Sequence, residues 1–136
     1  MKKLGVGASI FLSVCIASSL SASPRPTCDR SSSQPDLDAC AYEDLEAAEK
    51  EMQSVYQGIV EKYASNALLL ERLARAQQSW MNFREDDWKA QFACPNFNTQ
   101  LCWGPQAFIK VNVRRMEQTK ERTRSLRNLL ENGPGR

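Results

Sequence analysis

The 136-residue chain contains no histidine. That absence excludes Ser–His and Cys–His catalytic pairs and every imidazole metal site. The phosphate-cradling P-loop and the glycine-rich dinucleotide fingerprint are missing too. An excess of one charge is also lacking. The chain has 18 Lys+Arg and 16 Asp+Glu, and loss of a leader containing Lys2 and Lys3 leaves 16 of each. A general nucleic-acid binder needs a net basic surface, so nucleic acid is not an expected partner. The one apolar run, Leu4 to Ile16, is too short to span a bilayer and stay there.

That run reads instead as the core of a secretion signal over residues 1–22. Lys2 and Lys3 form its positive start, and Ala17 to Ala22 its small-residue end. Ser19-Leu20-Ser21 has the small-x-small form that a signal peptidase needs, and cleavage after Ala22 fits nearly as well. A lipid anchor at Cys15 is the lesser alternative. Leu12-Ser13-Val14-Cys15 has the outline of a lipobox, but Val14 stands where a small residue is expected. Either route leads to an oxidising compartment, the periplasm or the exterior. About 114 residues remain to fold, enough for one modest core.

Four of the five cysteines lie outside the leader: Cys28, Cys40, Cys94 and Cys102. An even number in a small exported domain reads as two disulfides. Three connectivities are possible. Cys28–Cys40 and Cys94–Cys102 close short loops and are preferred. The spacings of 12, 54 and 8 do not resemble paired zinc knuckles, so no metal is expected.

Residues 23–34 read as an irregular arm and 35–131 as a helical domain, with a tail at 132–136. Ser33-Gln34-Pro35-Asp36 resembles a capping box, with Ser33 accepting from the Asp36 N–H. From Leu37 to Tyr63 the apolar residues Leu37, Ala41, Leu45, Ala48, Met52, Val55, Ile59 and Tyr63 recur at steps of three and four, which is helical. Ser65 or Asn66 caps a second helix. Its stripe runs Leu69, Leu73, Ala76, Trp80 and Phe83, with Trp88 and Phe92 on a shifted face. Ala93 to Gly104 reads as a loop clipped by Cys94–Cys102. Gly104-Pro105 opens a third helix through Phe108, Val111, Met116, Thr119, Thr123, Leu126 and Leu130, and Asn132-Gly133-Pro134 stops it.

The expected fold is therefore all-α: an antiparallel three-helix, up-down-up bundle with a disulfide-clipped loop between the second and third helices. Residues 29–61 carry nine acids against two bases, and residues 110–136 carry eight bases against three acids. The first and third helices are thus expected to attract along their flanks.

Ala76-Gln77-Gln78-Ser79-Trp80-Met81-Asn82-Phe83-Arg84-Glu85 resembles the A-Q-x-x-W-x-x-[YF]-R-[DE] signature of the LprI-like lysozyme-inhibitor family of small exported bacterial domains. Cys40 followed by Ala48-Glu49, Met52-Gln53 and Tyr56 is similar to its C … A-D-x-x-L-N-x-x-Y segment. Thr119, Arg122, Thr123 and Leu126 are similar to its T-x-x-R-T-x-x-L ending. Cys28 and Cys40 stand at its first cysteine pair. The sequence departs where Trp88 replaces the family's usual third Cys and where a Gly-Gly pair is missing.

Within the signature, Gln77, Trp80, Phe83 and Arg84 share one side of a helix. Trp80 and Phe83 are expected in the core. Arg84 is expected to reach an acid of the first helix, such as Glu49, or carbonyls of the clipped loop. Glu85-Asp86-Asp87 is the only acidic cluster of the second half. Its three residues point different ways, so it reads as a solvated face rather than the facing carboxylates of a glycosidase. No enzyme, catalytic residue or cofactor is expected.

The resemblance implies binding to a lysozyme or another envelope protein. Asn96, Phe97, Asn98, Gln100 and Trp103 of the clipped loop are the candidate contacts, with Arg114, Arg115 and Arg122 as a basic alternative. The competing reading is a structural, assembly or immunity protein of the envelope. Buried Phe97 and Trp103 would favour a structural role; exposed rings would favour binding.

Overall fold

The structure is a computed structural model and describes residues 33–135. The leader, Cys15, Cys28 and most of the N-terminal arm lie outside the described residues. Within them the fold is all-helical: α1 (Gln34–Lys62), α2 (Ala67–Gln91), a 3-10 turn (Pro95–Phe97), the short α3 (Thr99–Trp103) and α4 (Ala107–Asn132). There is no strand among the described residues. None of their helices is long and apolar enough to cross a membrane.

The stripe of α1 is buried as its periodicity requires. Ala41, Leu45, Ala48, Met52 and Ile59 all face inward. Opposite them α4 buries Ala107, Val111, Thr119, Thr123 and Leu126. Many of these side chains are small, so α1 and α4 approach closely along their length, and this is the dominant packing of the fold. The buried threonines bring hydroxyls into that seam. Each resolves the problem locally by donating to the carbonyl four residues back, Thr119 to Arg115 and Thr123 to Thr119, both at 2.8 Å.

The second helix meets the other two through long side chains rather than close backbones. Leu69 and Trp80 pack against the core cluster of Met52, Ile59, Leu73 and Leu126. Tyr56 joins them from α1. Phe83 does not: its ring is 59% exposed, against the core position expected from its stripe. The turn toward Arg84 fills the inward direction with a guanidinium, and Phe83 lies beside it on the solvent side. Ala76 and Phe108 are exposed as well. Each helix is covered only along a narrow seam, so these outer positions of its stripe lie in water.

Helix ends agree with expectation at Asn66 and depart from it at Ser33 and over 93–104. Ser33 is the N-cap of α1 but makes no side-chain cap; its hydroxyl donates to the Asp36 carboxylate at 2.6 Å instead. Asn66 caps α2, accepting from Leu69 N–H at 3.1 Å. The segment 93–104 is not a plain loop, since it holds the 3-10 turn and α3. Accordingly α4 starts at Ala107 rather than at Gly104-Pro105, and Gly104, at φ 80°, ends α3.

Ile59→Ala removes a side chain with no exposed surface at the α1–α4 seam. It should lower stability by about 2–5 kcal/mol, read as a reduced denaturant midpoint with unchanged helix content.

Candidate functional site

Two constellations emerge from the signature and the clipped loop. The first is a polar junction of α1, α2 and α4. Arg84 is almost wholly buried on α2. One of its terminal nitrogens, Nη1, lies 2.8 Å from Glu49 of α1 and donates to Thr119 Oγ1 of α4 at 2.9 Å. The other, Nη2, lies 3.4 Å from Glu85. The guanidinium also sits 5.2 Å from the Trp80 ring centroid, a cation–π arrangement. The expected Arg84–Glu49 pair is therefore present. Two turns earlier on α2, Gln77 accepts from Arg122 Nε at 2.9 Å and points its amide nitrogen at Met52 Sδ, 3.4 Å off. The signature residues thus join three helices at two adjacent levels.

The acidic cluster belongs to this junction, contrary to its reading as a solvated face. Glu85 pairs with Arg115 at 2.9 Å and accepts from Trp88 Nε1 at 3.0 Å. Asp87 pairs with Arg114 at 3.1 Å and accepts from Gln118 at 2.6 Å. Only Asp86 remains exposed. Burial by itself would raise the Glu85 pKa, but the Trp88 hydrogen bond and the Arg115 and Arg84 charges outweigh it and hold the carboxyl below its ordinary value. Asp87 is likewise lowered: desolvation opposes, and Arg114, Gln91 and Gln118 prevail. In both, the cationic and hydrogen-bond-donating partners favour the charged carboxylate over the protonated form. Burial alone lowers the pKa of Arg122.

These pairs redirect the expected charge match. The cations of α4 meet the acids of α2 more than those of α1, where Arg127–Glu51 at 2.5 Å is the cross-pair. Arg114, Arg115 and Arg122, offered above as a basic binding face, are partly exposed and each has a partner within the chain: Asp87, Glu85 and Gln77. Among the described residues no group of His, Cys, Asp or Glu could hold a metal ion.

The second constellation is the cap formed by the end of α2, the 3-10 turn and α3. Cys94 and Cys102 are bonded across a separation of eight residues, with Cα atoms 5.9 Å apart. Cys40 is also in a disulfide; Cys28 lies outside the described residues. Inside the clip, Asn98 caps α3 by accepting from Leu101 N–H at 3.3 Å. Phe92 and Trp103 meet edge to face, 5.9 Å between centroids. Asn96 and Phe97 adopt left-handed backbone, at φ 61° and 55°. Of the expected contact residues, Asn96, Asn98 and Gln100 are exposed; Phe97 is 91% exposed and Trp103 45%. Leu101, 81% exposed, and Phe108, 42% exposed, are further exposed apolar side chains of this stretch that the sequence reading did not pick out as contacts. A signal was available: residues 90–109 contain no Asp, Glu, Lys or Arg.

Comparison with known proteins gives this architecture a family. Residues 28–126 match the family described as lysozyme inhibitor LprI, and the chain belongs to it. The family's description names an inhibitor rather than an enzyme. An uncharacterized protein of Rhizobium meliloti is 28% identical over 132 residues, covering 89% of this chain and 91% of its own. No solved structure matches.

Two measurements check the junction. Replacing Arg84 with Met should cost about 1–3 kcal/mol, because Glu49 and Glu85 are half-exposed and water partly compensates them. For pH, Glu85 and Asp87 have lowered folded pKa values, so their stabilisation is full above the ordinary carboxylate range and is lost as pH falls through the depressed values. Thermal midpoints should therefore be flat near neutrality and fall in acid. Glu85→Gln should flatten part of that acid-side slope.

Proposed function

We propose that this protein is an exported envelope protein that inhibits a lysozyme-type muramidase by protein–protein contact, through Asn96, Phe97, Asn98, Gln100 and Trp103. The observation that carries this reading is the exposed cap. Folding does not account for a phenylalanine in left-handed backbone with nearly all of its ring in water. A bulky residue there costs on the order of 1–3 kcal/mol, and its burial returns almost nothing. Several large apolar side chains exposed within one short segment are the kind of surface that contacts partners.

The rest of the chain supplies the frame. We read it as an up-down-up bundle: 87–114, 85–115 and 77–122 pair in opposing order along α2 and α4, whereas α1 pairs 51–127 and 62–130 in rising order. The disulfide holds the cap in one shape before binding, which reduces the ordering cost of association. Export is supported by the leader pattern of residues 1–22 and by cysteines held in disulfides. A purely structural role would bury Phe97 and Trp103, and neither is buried.

Phe97→Ala and Trp103→Ala should keep the helix content and abolish inhibition of a muramidase in a cell-wall lysis assay, because aromatic anchors dominate such interfaces. Trp80→Ala should instead destabilise the fold by about 3–5 kcal/mol. Inhibition should depend weakly on salt, since the cap is uncharged. A folded Phe97→Ala variant that inhibits as well as the parent would move the site elsewhere.

A further inference from the structure

The Cys94–Cys102 bond encloses a segment that little else holds in place. No residue of the 3-10 turn or of α3 is buried. Their turn hydrogen bonds stay local: Phe97 N–H to Cys94 O, Leu101 N–H to Asn98 O and Gly104 N–H to Gln100 O. α3 has five residues, far below the ~12 at which a helix begins to hold by itself in water. Two consecutive non-glycine residues inside the clip, Asn96 and Phe97, stand in left-handed backbone. Such residues persist only where their surroundings hold them. Apart from the bond, those surroundings are the Phe92–Trp103 contact and the packing of α3 beside α4. The bond itself lies outside the core, with Cys102 exposed and Cys94 half-buried.

We propose that Cys94–Cys102 is a redox-sensitive clip: a dithiol reductant opens it ahead of the disulfide at Cys40, and the cap loses its shape while the three long helices stay folded. The step needs only the two sulfurs and the dithiol. A thiolate of the reductant attacks Cys102 Sγ, and the Sγ–Sγ bond breaks with its electron pair leaving on Cys94, which takes a proton. The reductant's second thiol, deprotonated, then attacks the reductant's own sulfur in the mixed disulfide. Cys102 leaves as a thiolate and is protonated. The dithiol has given up two electrons and two protons, and the cystine has become two cysteines.

The two bonds differ in what depends on them. Cys40 lies in α1, beside buried Ala41 and within a 29-residue helix whose stripe packs on α4. Opening its bond leaves that packing in place. Opening Cys94–Cys102 releases the left-handed backbone and a segment with no buried side chain. Strain relief and regained chain freedom both favour the reduced form, and strained or exposed disulfides are the labile ones. The bundle does not follow, because Arg114–Asp87 and Arg115–Glu85 fasten the end of α2 to α4 independently of the clip. The effect on inhibition rests on the muramidase reading: Phe97 and Trp103 are its contacts, and opening the clip ends their fixed arrangement.

The test is a redox titration of the oxidised full-length protein in mixtures of reduced and oxidised dithiothreitol. Free thiols are alkylated and mapped by mass spectrometry, while amide NMR and far-UV circular dichroism follow the fold. Cys94 and Cys102 should be alkylated together at a reduced-to-oxidised ratio about tenfold lower than the one that frees Cys40. At that stage amide shifts should move only over residues 92–106, with helix content nearly unchanged. The double variant Cys94→Ser, Cys102→Ser should show the reduced protein's cap shifts without any reductant. Release of Cys40 first, or at the same ratio, overturns the proposal. So does a reduced protein whose cap shifts match the oxidised form, or a collapse of helix content as Cys94 and Cys102 become free. A muramidase lysis assay on the same samples is read separately: oxidised protein that fails to inhibit removes the inhibitor reading alone, and the clip stands or falls on the thiols and the shifts.

Discussion

The buried guanidinium of Arg84 is the constraint on which the rest of the arrangement depends. A charge this far from water is tolerable only when paired and hydrogen-bonded. Its partners come from three helices: Glu49, Thr119 and its own neighbour Glu85. Satisfying them fixes the axial position of α2 against the α1–α4 pair. It also explains why α2 stands off from its neighbours, since long polar side chains and a tryptophan occupy the space between. The Thr119 hydroxyl works in both directions: it donates to Arg115 O and accepts from Arg84. That is why a threonine, rather than a larger apolar residue, sits at a wholly buried position of α4.

The junction and the cap divide the molecule's work. Glu85 and Asp87 lie at the last turns of α2, where Arg115 and Arg114 fasten that end to α4. The chain then leaves α2, turns through the disulfide clip, and enters α4. The cap is thus anchored by ion pairs on one side and closed by a covalent bond. A surface held this way can carry exposed aromatic rings without folding them under. Backbone strain at Asn96 and Phe97 is sustained by the same closure.

Much of this was legible in the sequence. The stripe of α1 reads correctly because its apolar residues are evenly spaced and its burial is one-sided. The Cys94–Cys102 pair reads from short-loop closure, and Arg84–Glu49 reads from the need to neutralise a cation on the inward side. The stripe of α2 misleads at Phe83, because periodicity marks a face about 100° wide while the buried seam is narrower. The acidic cluster misleads for a related reason. Three consecutive helical residues do point apart, yet two of them find arginines on α4, and no local pattern encodes a contact across thirty residues. The short helix α3 escaped notice because proline, asparagine and glycine dominate its flanks. The cap's signal in the sequence is the absence of Asp, Glu, Lys and Arg from 90 to 109, which periodicity does not reveal.

The account's central claim is that recognition resides in the uncharged cap and that the charged helices are scaffold. Hydrogen–deuterium exchange on the complex with a muramidase tests it most directly. The account predicts added protection confined to residues 92–108, with α1 and the outer face of α4 unchanged. Protection centred on α1 or on Arg114, Arg115 and Arg122, with the cap exchanging as in the free protein, would contradict it.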